Sequence, residues 1–404
     1  MKILFMAQDV TPAGRTGDAV HVRELVWNLA ELGNEIWLIG RDLQGVSPEE
    51  YAEWNRALDK LKSHKNIHLN LLKTGFKLSF PCLKNTLAAK TAISILSKEK
   101  IDIIYSRSFN CALEAYLHKL FSVPLVLEIN GLVDEEREQI AGRKTGCLKK
   151  NAFALSARAS FAYPEKIITV TEKLKAALVE KYGVDERKIH VVPNGVDTDL
   201  FRPMDMLECR RKLGLPADAS IVCFVGNLAP WQGVDLLIKA FSSVMEKHEK
   251  TLLLIVGDGK ERKRLETLSK KLKIDYSVRF VGAVRHEDVP TYIGSGNICV
   301  ATFTTVRNAK IGLSPLKIYE YLACAKPVIT SDIQGIREII ENSNAGILTA
   351  PEDVDGISNA IERLLTDKRL AESMGINGRE HILCHSWKSV ARKVNDILTG
   401  VCCS

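Results

Sequence analysis

The sequence predicts an α/β protein built from two doubly wound, Rossmann-like parallel sheets facing across a cleft. Three observations carry this. Strand and helix signals alternate from the first residues onward. A turn-rich break, PNGVDTDLFRP at 193–203, interrupts the alternation, which then restarts. The chain has 404 residues, too many for one ordinary core and enough for two. Its strand signals are short continuous apolar runs, as expected of strands covered on both faces. Ligands of such sheets bind outside the carboxyl ends of strands, so the loops there should hold the chemistry.

The opening KILFMA reads as the first strand; its apolar part is too short for a signal peptide and ends at Gln8 and Asp9. A loop over 11–18 leads to a helix over 21–32 with apolar residues at helical spacing, closed by Gly33, and EIWLIG returns as a strand. Apolar runs at 101–105, 125–129, 166–170 and 189–192 complete the first half. After the break, strands are expected at 220–225, 252–256, 278–281, 298–301 and 328–330. These runs place the domains at 1–195 and 196–385. The final helical stretch, 386–404, is suited to rejoin the first domain.

With 46% hydrophobic and 26% charged residues, the composition is that of a soluble globular protein. No apolar run approaches the ~18 residues of a membrane span. The ten cysteines are scattered without CxxC or Cys/His ligand spacing, which fits free thiols in a reducing cytoplasm and argues against a structural zinc site. The net charge of +7 is unevenly spread: eight lysines and no Asp or Glu lie between Lys60 and Lys98. A second basic-apolar stretch covers 143–161. These are either solvated faces or a surface that approaches anionic lipid, where each basic residue contributes ~1 kcal/mol. No nucleic-acid-binding motif accompanies the charge.

The most informative stretch is GLSPLKIYEYLACAKPVITSD, 312–332. Gly312 and a proline open a helix whose free N–H groups suit a phosphate; Lys317 follows, and Glu320 lies one turn further in. An ordinary amphipathic helix feeding a buried strand would show the same pattern. In the first loop, Gly17 permits close approach of a ligand, and the helix start beyond Asp18 suits a phosphate or a hydroxyl; a plain βα turn uses glycine in the same way. GNLAPWQG at 226–233 takes the corresponding place in the second half, with Gly226 at the strand end and Asn227 and Gln232 able to hydrogen-bond phosphate oxygens. Trp231 there is a packing residue or a stacking platform. Gly257 and Gly259 form a tight turn after the next strand, and the 283–285 backbone, Ala283 to Arg285, ends another.

The order of these elements resembles the retaining glycosyltransferase family 4, which has the GT-B fold. Four stretches carry the likeness: GDAVHVRELVWNLAELGNEIWLI, TVTEKLKAALVEKYGVDERKIHVVPNGVDTDLFRP, VGNLAPWQGVDLLIKAF and SPLKIYEYLACAKPVITSD. The resemblance implies a UDP-sugar or GDP-sugar donor on the C-terminal domain and a glycan or lipid-linked acceptor mainly on the N-terminal one. It implies that the helix start at Ser314, Leu316 and Lys317 cradles the diphosphate, that Glu320 accepts the ribose hydroxyls, and that the backbone near Ala283 and Arg285 reads the base. No metal or other cofactor is implied. The expected role is cell-surface polysaccharide or glycolipid assembly in the cytoplasm or peripherally on the inner face of the membrane, through the basic N-terminal domain.

The departures define a subgroup with SPLK. Gly312 stands where relatives often have a glutamate that reads the donor sugar. Asn227 and Gln232 replace basic residues of the phosphate loop, and Asn130 replaces a histidine, with Glu128 two residues earlier on the same strand face. Lys317, Arg307, Lys310 and Arg107 are candidates to restore the positive charge, and Asn130, Lys317 and Glu320 to act in catalysis. Gly17, Asp18, His21, Arg107 and Glu128 would line the acceptor side or its phosphate loop. A nucleotide-sugar epimerase, with Glu128 moving a proton, and a non-catalytic sugar-nucleotide-binding partner are the alternatives.

Overall fold

The computed structural model describes residues 1–43, 51, 54–73, 81–109, 111–132, 157–158, 160–305 and 311–403, with backbone alone for 81–84. Arg307, Lys310 and most of the two basic-apolar stretches' loop residues, 74–80 and 143–156, lie outside them. The chain forms two compact units, Met1–Asn194 with Trp387–Ser404, and Gly195–Ser386.

The first unit holds a seven-stranded sheet in the order β3-β2-β1-β4-β5-β6-β7. Its strands are β1 (Lys2–Ala7), β2 (Glu35–Arg41), β3 (Ile67–Leu72), β4 (Ile103–Ser106), β5 (Leu125–Ile129), β6 (Lys166–Thr169) and β7 (Ile189–Val191). All pair in parallel. β1 is buried throughout beyond Lys2, with alternate residues on opposite faces: Leu4 and Met6 join Trp37, Ile39 and Ile104 in one core, while Phe5 packs on Tyr105 with ring centroids 4.7 Å apart. The last helix, Trp387–Cys402, packs on the first, Gly17–Glu31, where Asn34 donates to Asn395 at 2.8 Å.

The second unit has six parallel strands in the order β10-β9-β8-β11-β12-β13. These are β8 (Ser220–Val225), β9 (Thr251–Val256), β10 (Val278–Gly282), β11 (Ile298–Ala301), β12 (Val328–Ser331) and β13 (Gly346–Thr349). Ile221, Cys223 and Val225 face one core, and Val222 and Phe224 the other. In both sheets the winding reverses between the first and fourth strands, which places a switch point at β1/β4 and another at β8/β11.

Three local expectations change. β3 and β13 were not foreseen; both are sheet edges, and their residues are largely half-buried, so neither reads as a continuous apolar run. The first helix begins at Gly17, one turn earlier than its apolar spacing indicates, so Gly17 and Asp18 belong to its first turn. The helix of the SPLK stretch begins at Leu316 with Pro315 as its cap, leaving Gly312 outside it.

Candidate functional site

In the second unit the exits of β8, β9 and β10 are drawn together by glycines. Gly226 donates its N–H to Val256 O (2.9 Å) and Gly257 to Gly282 O (2.8 Å). Gly226, Gly257 and Gly282 have φ of 146°, 130° and 90°. A Cβ on Gly257 would lie 2.0 Å from the Gly226 carbonyl oxygen, and one on Gly259 would lie 2.4 Å from both Asn227 Oδ1 and Leu228 O. Gly257 and Gly259 are therefore demanded by protein backbone packing, whatever else approaches them. Asn227 is exposed.

Lys317 stands at the switch point. Tyr321, on the same helix, accepts the Val225 N–H at 2.7 Å and fixes the helix against the end of β8. The Lys317 ammonium then lies 4.1 Å from the Phe224 ring and 5.6 Å from that of Phe303, which follows β11. A Cβ on Gly226 would sit 2.4 Å from Lys317 Nζ, so the glycine is the space the ammonium occupies. Lys317 donates to Gln232 Oε1 at 2.8 Å. The Gln232 turn is itself anchored: Thr302 Oγ1 donates to Gly233 O (2.8 Å) and Gln232 O (3.1 Å). Among the described residues no carboxylate pairs with Lys317. Burial pushes its ammonium down to about 7, partly offset by Glu320.

Glu320 is 9% exposed and contacts His286 Nε2 through Oε1 at 3.1 Å. Ser314 is buried, and its hydroxyl is 2.9 Å from the Tyr319 hydroxyl, so it is engaged within the protein. Leu316 is half-buried in the first turn of the helix. Ala283 and Arg285 are exposed, and Arg285 forms a two-pronged pair with Asp288 at 2.8 and 3.0 Å. Gly312 is buried with φ 66°, and the next residue, Leu313, donates to Gln334 O at 3.0 Å. A side chain at 312 would have to adopt this left-handed backbone.

The first unit gathers a separate polar cluster at the ends of β4 and β5. Glu128, 2% exposed, accepts from Tyr105 Oη (2.5 Å) and Asn130 Nδ2 (2.5 Å), and faces His21 Nε2 at 2.8 Å and Arg107 Nε at 3.5 Å. Burial alone would raise this carboxyl; His21, Arg107 and Tyr105 outweigh it and hold it at about 2. His21 Nδ1 lies 2.8 Å from Asn194 Oδ1, and the ring is edge-on to Trp387 at 5.1 Å. Among the described residues, Asn130 Oδ1 is buried without a hydrogen-bond partner. Gly17 and Asp18 lie at the helix start, where the Asp18 carboxylate already complements the dipole. Arg23, which the sequence reading did not single out, folds the preceding loop by donating Nη1 to Pro12 O and Gly14 O, both at 2.6 Å. His286 also escaped that reading: it lies 34 residues from Glu320, and nothing in the local pattern links them.

Residues 205–381 match the family described as Glycosyl transferases group 1, and residues 16–200 match Glycosyltransferase Family 4. The chain carries glycosyltransferase domains. An uncharacterized glycosyltransferase of Methanocaldococcus jannaschii is 25% identical over 98% of this chain and 97% of its own. A GDP-mannose-dependent alpha-(1-6)-phosphatidylinositol monomannoside mannosyltransferase of Mycobacterium tuberculosis is 30% identical, over 52% of this chain and 56% of that relative. Among solved structures, Anabaena Alr3699/HepE in complex with UDP has a TM-score of 0.77 at 19% identity, covering 99% of this chain and all of that one. These glycosyltransferase domains thus share the two-domain GT-B fold. Among their described residues no group of three or more His, Cys, Asp or Glu is arranged to hold a metal ion, and no helix is long and apolar enough to cross a membrane.

Proposed function

We propose that the chain transfers a sugar, with retention, from a UDP-sugar or GDP-sugar to a glycan or lipid-linked acceptor, and that Lys317 carries the charge that holds the donor diphosphate. The observation behind this reading is the Lys317 ammonium, enclosed by Phe224 and Phe303 at a sheet switch point and at a helix start, with no carboxylate paired to it among the described residues. An enclosed cation left without a counter-ion is costly for the protein and suits an anionic ligand. Gln232 supports it by accepting from the ammonium at 2.8 Å. A relative that uses GDP-mannose and a structural neighbour solved with UDP support the donor class.

In this reading the sugar C1–O bond to the diphosphate breaks as C1 bonds the acceptor oxygen on the same face, and the acceptor proton passes to the leaving diphosphate. Lys317 and the N–H groups at Leu316 stabilise the charge that develops there, without a metal. Glu320 accepts the ribose hydroxyls, and the Ala283–Arg285 backbone meets the base. Asn130 and Arg107 face the acceptor, with Asn130 Oδ1 available to its hydroxyl. The acceptor belongs to polysaccharide or glycolipid assembly at the inner membrane face. The epimerase alternative gains no support: a carboxylate held at about 2 by His21, Arg107 and Tyr105 is a poor proton carrier near neutral pH.

The test is Lys317→Ala assayed with a panel of nucleotide-sugars and the acceptor found for the wild type. The expected loss is about 10²–10³ in kcat, the range seen when one electrostatic stabiliser of a transition state is removed. Turnover near wild type at saturating donor would remove Lys317 from the role.

A further inference from the structure

The contact between His286 and Glu320 gives the second unit a component that the donor-site reading above does not contain. Glu320 has two carboxylate oxygens and, among the described residues, one hydrogen-bonded side-chain partner. Oε1 lies 3.1 Å from His286 Nε2. A carboxylate only accepts, so Nε2 is the donor. Oε2 has no hydrogen bond to any described residue, yet it is not among the buried atoms left unsatisfied. One oxygen is thus tied back and the other is open.

The imidazole is itself held from several sides. Gly282, with φ 90°, turns the chain out of β10. The Arg285–Asp288 pair spans the 3-10 turn His286–Asp288 and fixes its start. The ring packs at 5.2 Å on Phe201, a side chain only 1% exposed. Phe201 is in turn tied to the far end of the Glu320 helix: Arg379 Nη1 donates to Phe201 O at 2.8 Å and to Ala323 O at 2.9 Å. The histidine and the carboxylate therefore rest on one framework.

The geometry points to His286 as a positioning residue that fixes the rotamer of Glu320 and presents Oε2 to a ribose hydroxyl of the donor nucleotide. This rests on the proposed role of Glu320 as the ribose acceptor. It adds a specificity element: discrimination of ribonucleotides from deoxyribonucleotides depends on a side chain that does not itself touch the ribose. Without the histidine, the carboxylate loses its anchor and spends the binding gain on being ordered.

The experiment is calorimetric titration of the full chain with UDP and GDP and with their 2′-deoxy and 3′-deoxy counterparts, for wild type, Glu320→Gln, His286→Ala and His286→Gln. Whichever nucleotide binds wild type should do so about 10- to 100-fold more tightly than its weaker deoxy form, the range of a hydrogen bond to a charged group. Glu320→Gln should abolish that ratio. His286→Ala should cut the ratio at least about fivefold while leaving the affinity for the deoxy form within about twofold, so the deoxy form also reports that the site is folded. His286→Gln, whose amide donor can replace Nε2, should restore much of the ratio. Equal weakening of ribo and deoxy forms in His286→Ala, or an unchanged ratio, overturns the positioning role alone. A ratio that survives Glu320→Gln overturns the reading of Glu320 beneath it, and the positioning role with it. Absence of binding to both nucleotides overturns both readings.

Discussion

At the scale of single residues, two ionisable groups are both shifted downward, with opposite consequences for stability because one is a base and the other an acid. Lys317 is held at about 7, below its value in the unfolded chain, so its protonation opposes folding. The unfolded state binds the extra proton between about 7 and 10.5, so the penalty is full below 7 and disappears as pH rises to the unfolded value. Lys317→Met should therefore stabilise the second unit, by about 1–3 kcal/mol at pH 6 and by little near pH 10, in chemical denaturation across that range. A destabilised variant at pH 6 would show the lysine to be a packing residue. The same group predicts that the diphosphate draws a proton onto Lys317, so UDP or GDP should bind with net proton uptake at pH 7–8, read from titrations in buffers of different ionisation heat. Glu128 behaves the other way. Its carboxyl is held at about 2, so the stability it contributes is complete above about 4.5 and lost as pH falls toward 2. Glu128→Gln should cost about 3–5 kcal/mol at pH 7, because it leaves Arg107 and His21 facing a neutral group, and the gap to wild type should narrow below pH 4. A constant gap would place the loss in packing instead of charge.

At the scale of elements, the turn where β8, β9 and β10 meet makes the clearest claim. Gly257→Ala would drive a methyl to 2.0 Å from the Gly226 carbonyl oxygen, at a φ of 130°. The expected cost is about 2–5 kcal/mol, from backbone strain plus overpacking, measured by denaturant midpoint of the second unit. Gly33→Ala meets no atom within 4 Å and bears only its φ of 88°, so it should cost less. How much was readable from sequence follows the same physics. Interior strands such as β1, β4, β8 and β11 are covered on both faces and appear as apolar runs. β3 (IHLNLL) and β13 (GILT), at sheet edges with half-buried residues, carry no such run. Candidate residues could be picked out together where they share one short stretch, as Ser314, Lys317 and Glu320 do. The meeting of Lys317 with Gln232, 85 positions away, and of Glu320 with His286 arises from strand order, which local spacing does not encode. Gly257 and Gly259, read from the sequence as a tight turn after a strand, are required there by the neighbouring backbone, a demand that only the meeting of the strand ends reveals.

At the scale of the whole molecule, the chain crosses between its units twice, at Asn194/Gly195 and at Ser386/Trp387, and His21 in the first unit touches a residue at each crossing. Trp387 is 3% exposed and begins the helix Trp387–Cys402, which belongs to the first unit, packs on its first helix and buries Val390, Val394, Leu398 and Val401. Polar contacts also tie the returning helix to the first unit: Asn34, beside the opening helix, donates to Asn395, and Cys402 reaches Asp102 O at 3.8 Å. Each unit has its own sheet and its own apolar clusters, so each is expected to open as a separate cooperative segment. Trp387→Ala should remove about 3–5 kcal/mol from the first unit through the cavity it leaves. Hydrogen exchange followed peptide by peptide is the direct readout. Amides of β1, β2 and β4 should exchange faster in proportion to that loss, while those of β8, β9 and β11 keep their wild-type protection. Equal acceleration in both sheets would mean that the units unfold together, and that the returning helix stabilises the entire chain instead of the sheet it covers.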